Sequence, residues 1–238
     1  MAKLKSLLRF FTPNPNRKIY KQEFLDFLNS QARILQRPLG FLAMVVWLGY
    51  AFDTDPKLHP EFPELFYFRM SFTLSGVVVF VISFFDKLRG KGLGWLYVIA
   101  SFLLLTCAFF TGRLADDPSY VAGLQLIVLV GALIPFPFRA FFVLYTVSLI
   151  FFISAIQIYE PDITSESVKY SMNNLLIGYI MAYLMTYMLD KFRFILFTNS
   201  LKLKTARDAL WGEMQIAKKI QTMLLPKKPD ISGVWFSP

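Results

Sequence analysis

Apolar residues gather along most of this chain in long runs, and charged residues are confined to the stretches between them. Six runs stand out: about Pro38 to Phe52, Leu65 to Phe85, Gly94 to Thr111, Val121 to Phe138, Ala140 to Tyr159, and Asn173 to Leu189. A helix of about twenty apolar residues covers the roughly 30 Å of hydrocarbon in a bilayer, and the runs are of that order. The first is short unless it borrows Ile34 and Leu35. Gly76, Gly131, Pro135, Pro137 and Gly178 would weaken a helix in water. They are tolerated in lipid, where neighbouring helices re-satisfy the backbone. The pattern therefore predicts an all-α polytopic membrane protein with six transmembrane helices over residues 38–189.

Composition agrees with the pattern. Hydrophobic residues make up 55% of the chain, aromatic residues 17% and charged residues only 17%, with a mean hydropathy of +0.49; a soluble domain carries about 25% charge. The opening MAKLKSLLRFF is basic, but its apolar stretch is short and broken by Arg9, so it does not read as a cleaved signal peptide and the N-terminus is expected to be retained. The single cysteine, Cys107, lies in the middle of an apolar run. It excludes an intrachain disulfide and a cysteine-based metal site, and reads as a buried thiol that packs as a small hydrophobe.

Charge sets the expected orientation, because Lys and Arg near span ends are retained in the cytoplasm. Of the 25 basic residues, Lys57, Arg113 and Lys169 alone fall on one side and Arg69 falls inside the second run; the rest lie on the other side. That side holds both termini, which places the chain in the bacterial inner membrane, multi-pass, with both termini cytoplasmic. The net charge of +9 is then a topology signal that also suits anionic lipid head groups, and no nucleic-acid partner is needed. Residues 1–37 read as cytoplasmic interfacial helices: Leu4, Leu7, Leu8 and Phe11 share one face, and a second helix from Tyr20 to Gln36 carries Phe24, Phe27, Leu28 and Leu35 as a stripe. Pro13-Asn14-Pro15-Asn16 separates the two.

Beyond Asp190 charge returns, yet no Gly or Pro interrupts the chain before Gly212 and Pro226, so a helix is expected to continue out of the membrane over residues 190–225. Leu196, Leu203, Leu210, Ala217 and Leu224 recur every seventh residue, with Ala206 and Ile220 three places after two of them. This is the spacing of a two-helix seam, made imperfect by Asn199 and Glu213. It predicts a parallel homodimer with a coiled-coil stalk; an amphipathic helix packed on its own domain is the alternative.

The run Glu213-Met214-Gln215-Ile216-Ala217-Lys218-Lys219-Ile220-Gln221-Thr222-Met223-Leu224-Leu225-Pro226, followed by Pro229 and Gly233, resembles the helix that leads into the catalytic domain of SpoIIE/RsbU-type metal-dependent serine phosphatases. Pro226 ends that helix because it cannot donate the next backbone bond. The resemblance covers only the end of the chain and makes residues 226–238 the start of a phosphatase domain. It implies two manganese or magnesium ions, held by aspartates further on, that activate a water for attack on phosphoserine. It also implies a phosphorylated anti-sigma antagonist as the substrate. The sequence reaches Phe236-Ser237-Pro238 before any matching aspartate, so catalytic residues, metal ligands and cofactors are not expected within it.

Arg69 is the main polar feature inside a span, close in sequence to Asp53 and Asp55. A charge at that depth must snorkel or pair, or else it serves a ligand, and Gln125, Gln157, Asn173 and Asn174 are candidates to complete a ligand pocket with it. Taken singly, each reads as interhelical glue. His59, the only histidine, lies between prolines in an outer loop and cannot make a metal site alone. Pro135-Phe136-Pro137-Phe138-Arg139 reads as a tight cytoplasmic turn, with a kinked span as the alternative. No Gly-rich phosphate loop, HExxH or pair of intramembrane carboxylates appears, which speaks against a proton-coupled carrier. The expected function is a membrane sensor that controls a phosphatase through a dimeric stalk. The alternatives are a passive anchor or transporter-like bundle, and a six-span sensor for another output such as a nucleotide cyclase.

Overall fold

The computed structural model describes residues 17–85 and 90–224, and among them every regular element is a helix. In chain order these are α1 (Lys21–Gly49), a π-helical turn (Tyr50–Thr54), α2 (Asp55–Leu58), α3 (Glu64–Ile82), α4 (Gly92–Arg113), α5 (Pro118–Gly131), α6 (Phe138–Tyr159) and α7 (Glu166–Leu224). The expected amphipathic face at Leu4 to Phe11 and the segment from Leu225 onward lie outside the described residues. The chain forms two compact units, divided between Phe194 and Ile195.

Among the described residues, five helical stretches are long and apolar enough to cross a membrane: Lys21–Leu58, Glu64–Ile82, Gly92–Arg113, Phe138–Tyr159 and Glu166–Leu224. Their outer faces are apolar too, with Leu42, Leu74, Val98, Val143 and Ile177 all exposed. A surface of that kind, spread over so many helices, has no place in water.

Two expected boundaries differ. The sequence pattern predicts separate helices for residues 20–36 and the first run, but α1 passes straight through Pro38. Proline withholds one backbone donor, while Phe24, Leu28, Ala32, Gln36 and Gly40, spaced by four, form a continuous buried ridge that carries the helix across it. The fourth run was expected to span Val121 to Phe138, but α5 stops at Gly131. Its 14 residues rise only about 21 Å, short of a hydrocarbon core. Residues 132–137 form a non-helical corner, because Pro135 and Pro137 cannot donate to a continuing helix, and α6 restarts at Phe138.

Glycine lets the helices meet closely. A Cβ on Gly40 would lie 2.7 Å from the backbone nitrogen of Phe80 and 2.9 Å from the carbonyl of Gly76, and one on Gly76 would lie 2.8 Å from the nitrogen of Met44. No side chain fits at either position, so α1 and α3 touch backbone to backbone, as small residues allow inside membranes. Phe72, Leu104, Val128, Phe141, Tyr145 and Tyr179 build the core between the helices. Its buried tyrosine hydroxyls are bonded: Tyr145 donates to the carbonyl of Val128 at 2.8 Å, and Tyr179 and Ser148 share a bond of 2.9 Å.

Candidate functional site

The polar chemistry of the helical bundle collects where the π-helical turn meets the starts of α3 and α5. Trp47, Ala51 and Asp55 are each four residues apart, and the wide turn between Tyr50 and Thr54 keeps them facing inward. Asp55 is consequently 3% exposed, whereas Asp53 stays outside and pairs with Lys57. One turn into α3, Arg69 points back at Asp55. Its Nε donates to Oδ2 at 2.7 Å and its Nη2 to Oδ1 at 3.3 Å. Tyr120, from the first turn of α5, donates its hydroxyl to the same Oδ1 at 2.7 Å.

Aromatic rings close around the guanidinium. Arg69 Cζ lies 5.0 Å from the ring of Trp47, 4.9 Å from Tyr50 and 5.6 Å from Tyr120. Cation–π attraction and the bidentate carboxylate replace the water that a buried guanidinium has lost. The Arg69 charge is thus paired inside the protein, one of the roles its position in the sequence allows. Asp55 and Tyr120 are the partners that sequence reasoning did not single out. The only signal for Asp55 was its nearness to Arg69, which Asp53 shares.

The remaining candidates lie on α5, α6 and α7. Gln125 on α5 packs against Gly178 on α7, where a Cβ would come within 2.7 Å of its Cγ. Asn174 is half-buried, and Gln157 and Asn173 are exposed. Among the described residues, no hydrogen bond joins Gln125, Gln157 or Asn173 to Arg69.

Beside the Arg69 pair sits a second polar group. His59 Nε2 is 2.8 Å from Asp117 Oδ2 and its Nδ1 is 3.0 Å from Glu61 Oε1, while its ring stands edge-on to Tyr120 at 5.0 Å. Asp117 also caps α5, accepting from the Ser119 amide at 2.7 Å. Burial alone would lower the His59 pKa, but the hydrogen bonds and charges of Asp117 and Glu61 outweigh it and hold the imidazole above its usual value. Asp117 is pushed up by burial and pulled down further by His59 and Ser119, so it titrates below the usual carboxylate range. Nearby, Arg113 pairs with Glu64 at 2.7 Å and lies over the rings of Phe62 and Tyr159.

A different set of polar contacts gathers around Gly90–Leu93 and Asp190. Arg17 is bonded to Asp190 at 2.6 Å. Asn29 donates to the carbonyl of Gly90 at 2.7 Å and accepts from the amide of Leu93 at 2.9 Å. Arg193 donates to the carbonyl of Leu133 at 2.7 Å. Among the described residues, no group of His, Cys, Asp and Glu is arranged to hold a metal ion, and Cys107 is buried. Comparison with family models, curated proteins and solved structures returned no match.

Proposed function

We propose that the chain is the membrane-embedded input module of a signalling protein, one that controls a cytoplasmic SpoIIE/RsbU-type serine phosphatase domain through a dimeric helical stalk. The observation that carries this reading is α7, which runs from Glu166 to Leu224 without a break and changes character on the way, from apolar to charge-rich. Past the change, Leu196, Leu203, Leu210 and Leu224 stay 61%, 71%, 62% and 78% exposed at heptad spacing. Apolar side chains repeated in that phase suit a second copy of the same helix. In this reading both termini face the cytoplasm of a bacterial inner membrane, α5 with the corner after it completes a sixth crossing, and residues 17–36 lie toward the cytoplasmic leaflet. Two manganese or magnesium ions and a phosphorylated anti-sigma antagonist belong to the phosphatase domain.

Single cysteines at Leu203 and Leu210 in a Cys107→Ser background test the seam. Cross-linking between chains at both is expected. Efficient cross-linking on the opposite face of α7, with none at these two, would reject it.

A further inference from the structure

Two cations stand beside one acid where α7 nears its charge-rich half. Asp190 is 2% exposed and accepts hydrogen bonds from Arg17 at 2.8 and 2.6 Å. Arg193 lies three positions further along the same helix, close enough for the Asp190 charge to act on it, yet it bonds elsewhere. Its Nη2 donates to the backbone carbonyl of Leu133, in the corner between α5 and α6, at 2.7 Å. Its Nη1 is buried and has no hydrogen-bond partner among the described residues. The two arginines are therefore unequally matched. Arg17 meets an acceptor of opposite charge, whereas Arg193 meets a neutral carbonyl and keeps a buried donor unused, which carries a desolvation cost.

We propose that Asp190 is the pivot of an ion-pair exchange: when Arg17 withdraws, Arg193 leaves the Leu133 carbonyl for Asp190, and the corner is released from α7. A carboxylate 2% exposed cannot turn to water, so on losing one cation it must take another. Arg193 is the cation at hand, on the same helix. Arg17 is the partner free to leave, because its side chain is 35% exposed and comes from the residues before α1. Ring contacts steady it meanwhile: Arg17 Cζ lies 5.3 Å from the ring of Phe24 and 5.9 Å from that of Phe194, and the two rings meet edge to face at 5.2 Å.

Exchange undoes two ties at once. The residues before α1 and the corner both grip α7 within one turn, between Asp190 and Phe194, and each grip depends on which cation Asp190 holds. As the step by which a stimulus frees α7, the exchange rests on the proposed sensor function; as a property of the bundle it does not.

Spin labels test it on the chain in nanodiscs. Leu133→Cys and Tyr170→Cys, both at exposed side chains, in a Cys107→Ser background, report the position of the corner against the far part of α7. A helix rise of about 35 Å separates Tyr170 from Arg193, a length that such labels resolve. Wild type and Arg17→Lys should give one narrow distance distribution, and Arg17→Ala a broader one as the corner comes loose. Where the alanine variant does not fold, Arg17→Gln, which keeps neutral donors, takes its place. The deciding variant combines Arg17→Ala with Asp190→Leu: it leaves Arg193 no carboxylate to move to and should restore the wild-type width. Arg193→Leu should broaden the distribution whichever residue stands at 17. An Arg17→Ala distribution as narrow as the wild type would overturn the exchange. So would one equally broad with and without Asp190→Leu, which would make Arg17 a plain strap, or an unchanged width in Arg193→Leu. Phosphatase activity enters none of these readouts, so their failure leaves the proposed function standing.

Discussion

Arg17 and Asp190, 173 positions apart, meet through two hydrogen bonds of 2.8 and 2.6 Å and tie the residues before α1 to the middle of α7. The pair is unequal. Asp190 is 2% exposed, while the Arg17 side chain keeps 35% and rests against the rings of Phe24 and Phe194. Arg17→Ala strands a buried carboxylate and should cost about 2–4 kcal/mol, somewhat below the range for a fully buried pair because Arg17 is partly solvated. Asp190→Ala leaves a cation that can turn to water and should cost about 1–2 kcal/mol. Unfolding midpoints of the two variants in detergent measure the difference. The reverse order would mean that Asp190 is hydrated.

At Asp55 and Arg69 both partners are buried, and the expectation changes accordingly. Either Asp55→Leu or Arg69→Met alone leaves an uncompensated charge and should destabilise by about 3–5 kcal/mol. The double substitution should recover most of that loss, since a well-packed apolar pair often replaces a buried ion pair without penalty. Tyr120→Phe removes one hydrogen bond to a charged group and should cost about 1.5–3 kcal/mol. Thermal unfolding of the four variants checks the set. A double variant as unstable as the worse single one would show that Arg69 and Asp55 hold their places for other reasons.

The helices themselves were largely legible in the sequence, because a membrane helix asks only for length and apolarity and both are visible in the runs. What the runs hide is where a helix stops or joins its neighbour. Pro38 reads as a boundary, yet the ridge from Phe24 to Gly40 overrides it; apolarity continues to Phe138, yet α5 ends at Gly131. The polar site was half legible. Arg69 announces itself as a charge within a span, but the choice of Asp55 over Asp53 depends on the π-helical turn, and His59 meets Asp117 only through tertiary structure. Gln125, a candidate for a ligand pocket that taken singly reads as interhelical glue, fills the notch over Gly178, and the sequence does not reveal which helix it meets.

Gly40 and Gly76 give the most local test of the fold. Their backbones approach so closely that an added Cβ would stand under 3 Å from backbone atoms of the other helix, which cannot yield as a side chain could. Gly40→Leu or Gly76→Leu should force α1 from α3 and cost about 3 kcal/mol or more, at the upper end for overpacking. Gly49 has open space around it, and Gly49→Ala should be neutral or slightly stabilising. Folded yield and melting temperature after purification separate the two classes. Equal tolerance at all three positions would argue that the α1–α3 contact is not made.

The proposed coupling predicts that α7 must stay a continuous rod. It runs through Asp190, Lys191 and Arg193 without glycine or proline, and Asp190 is buried there while Leu196 and Leu203 are exposed. Two glycines inserted between Arg193 and Leu196 would each cost about 1 kcal/mol of helix and would turn the following heptads by about 200° relative to the membrane part. A seven-residue insertion of helix formers adds length but nearly restores the phase, since seven residues fall only about 20° short of two turns. In the protein with its output domain attached, the glycine insertion should abolish stimulus-dependent phosphatase activity while insertion into the membrane and folding persist. The seven-residue insertion should retain most of that dependence. Phosphate release measured with and without stimulus, on proteoliposomes of each, decides the matter: regulation equal to wild type in both would make α7 a tether, and the bundle an anchor.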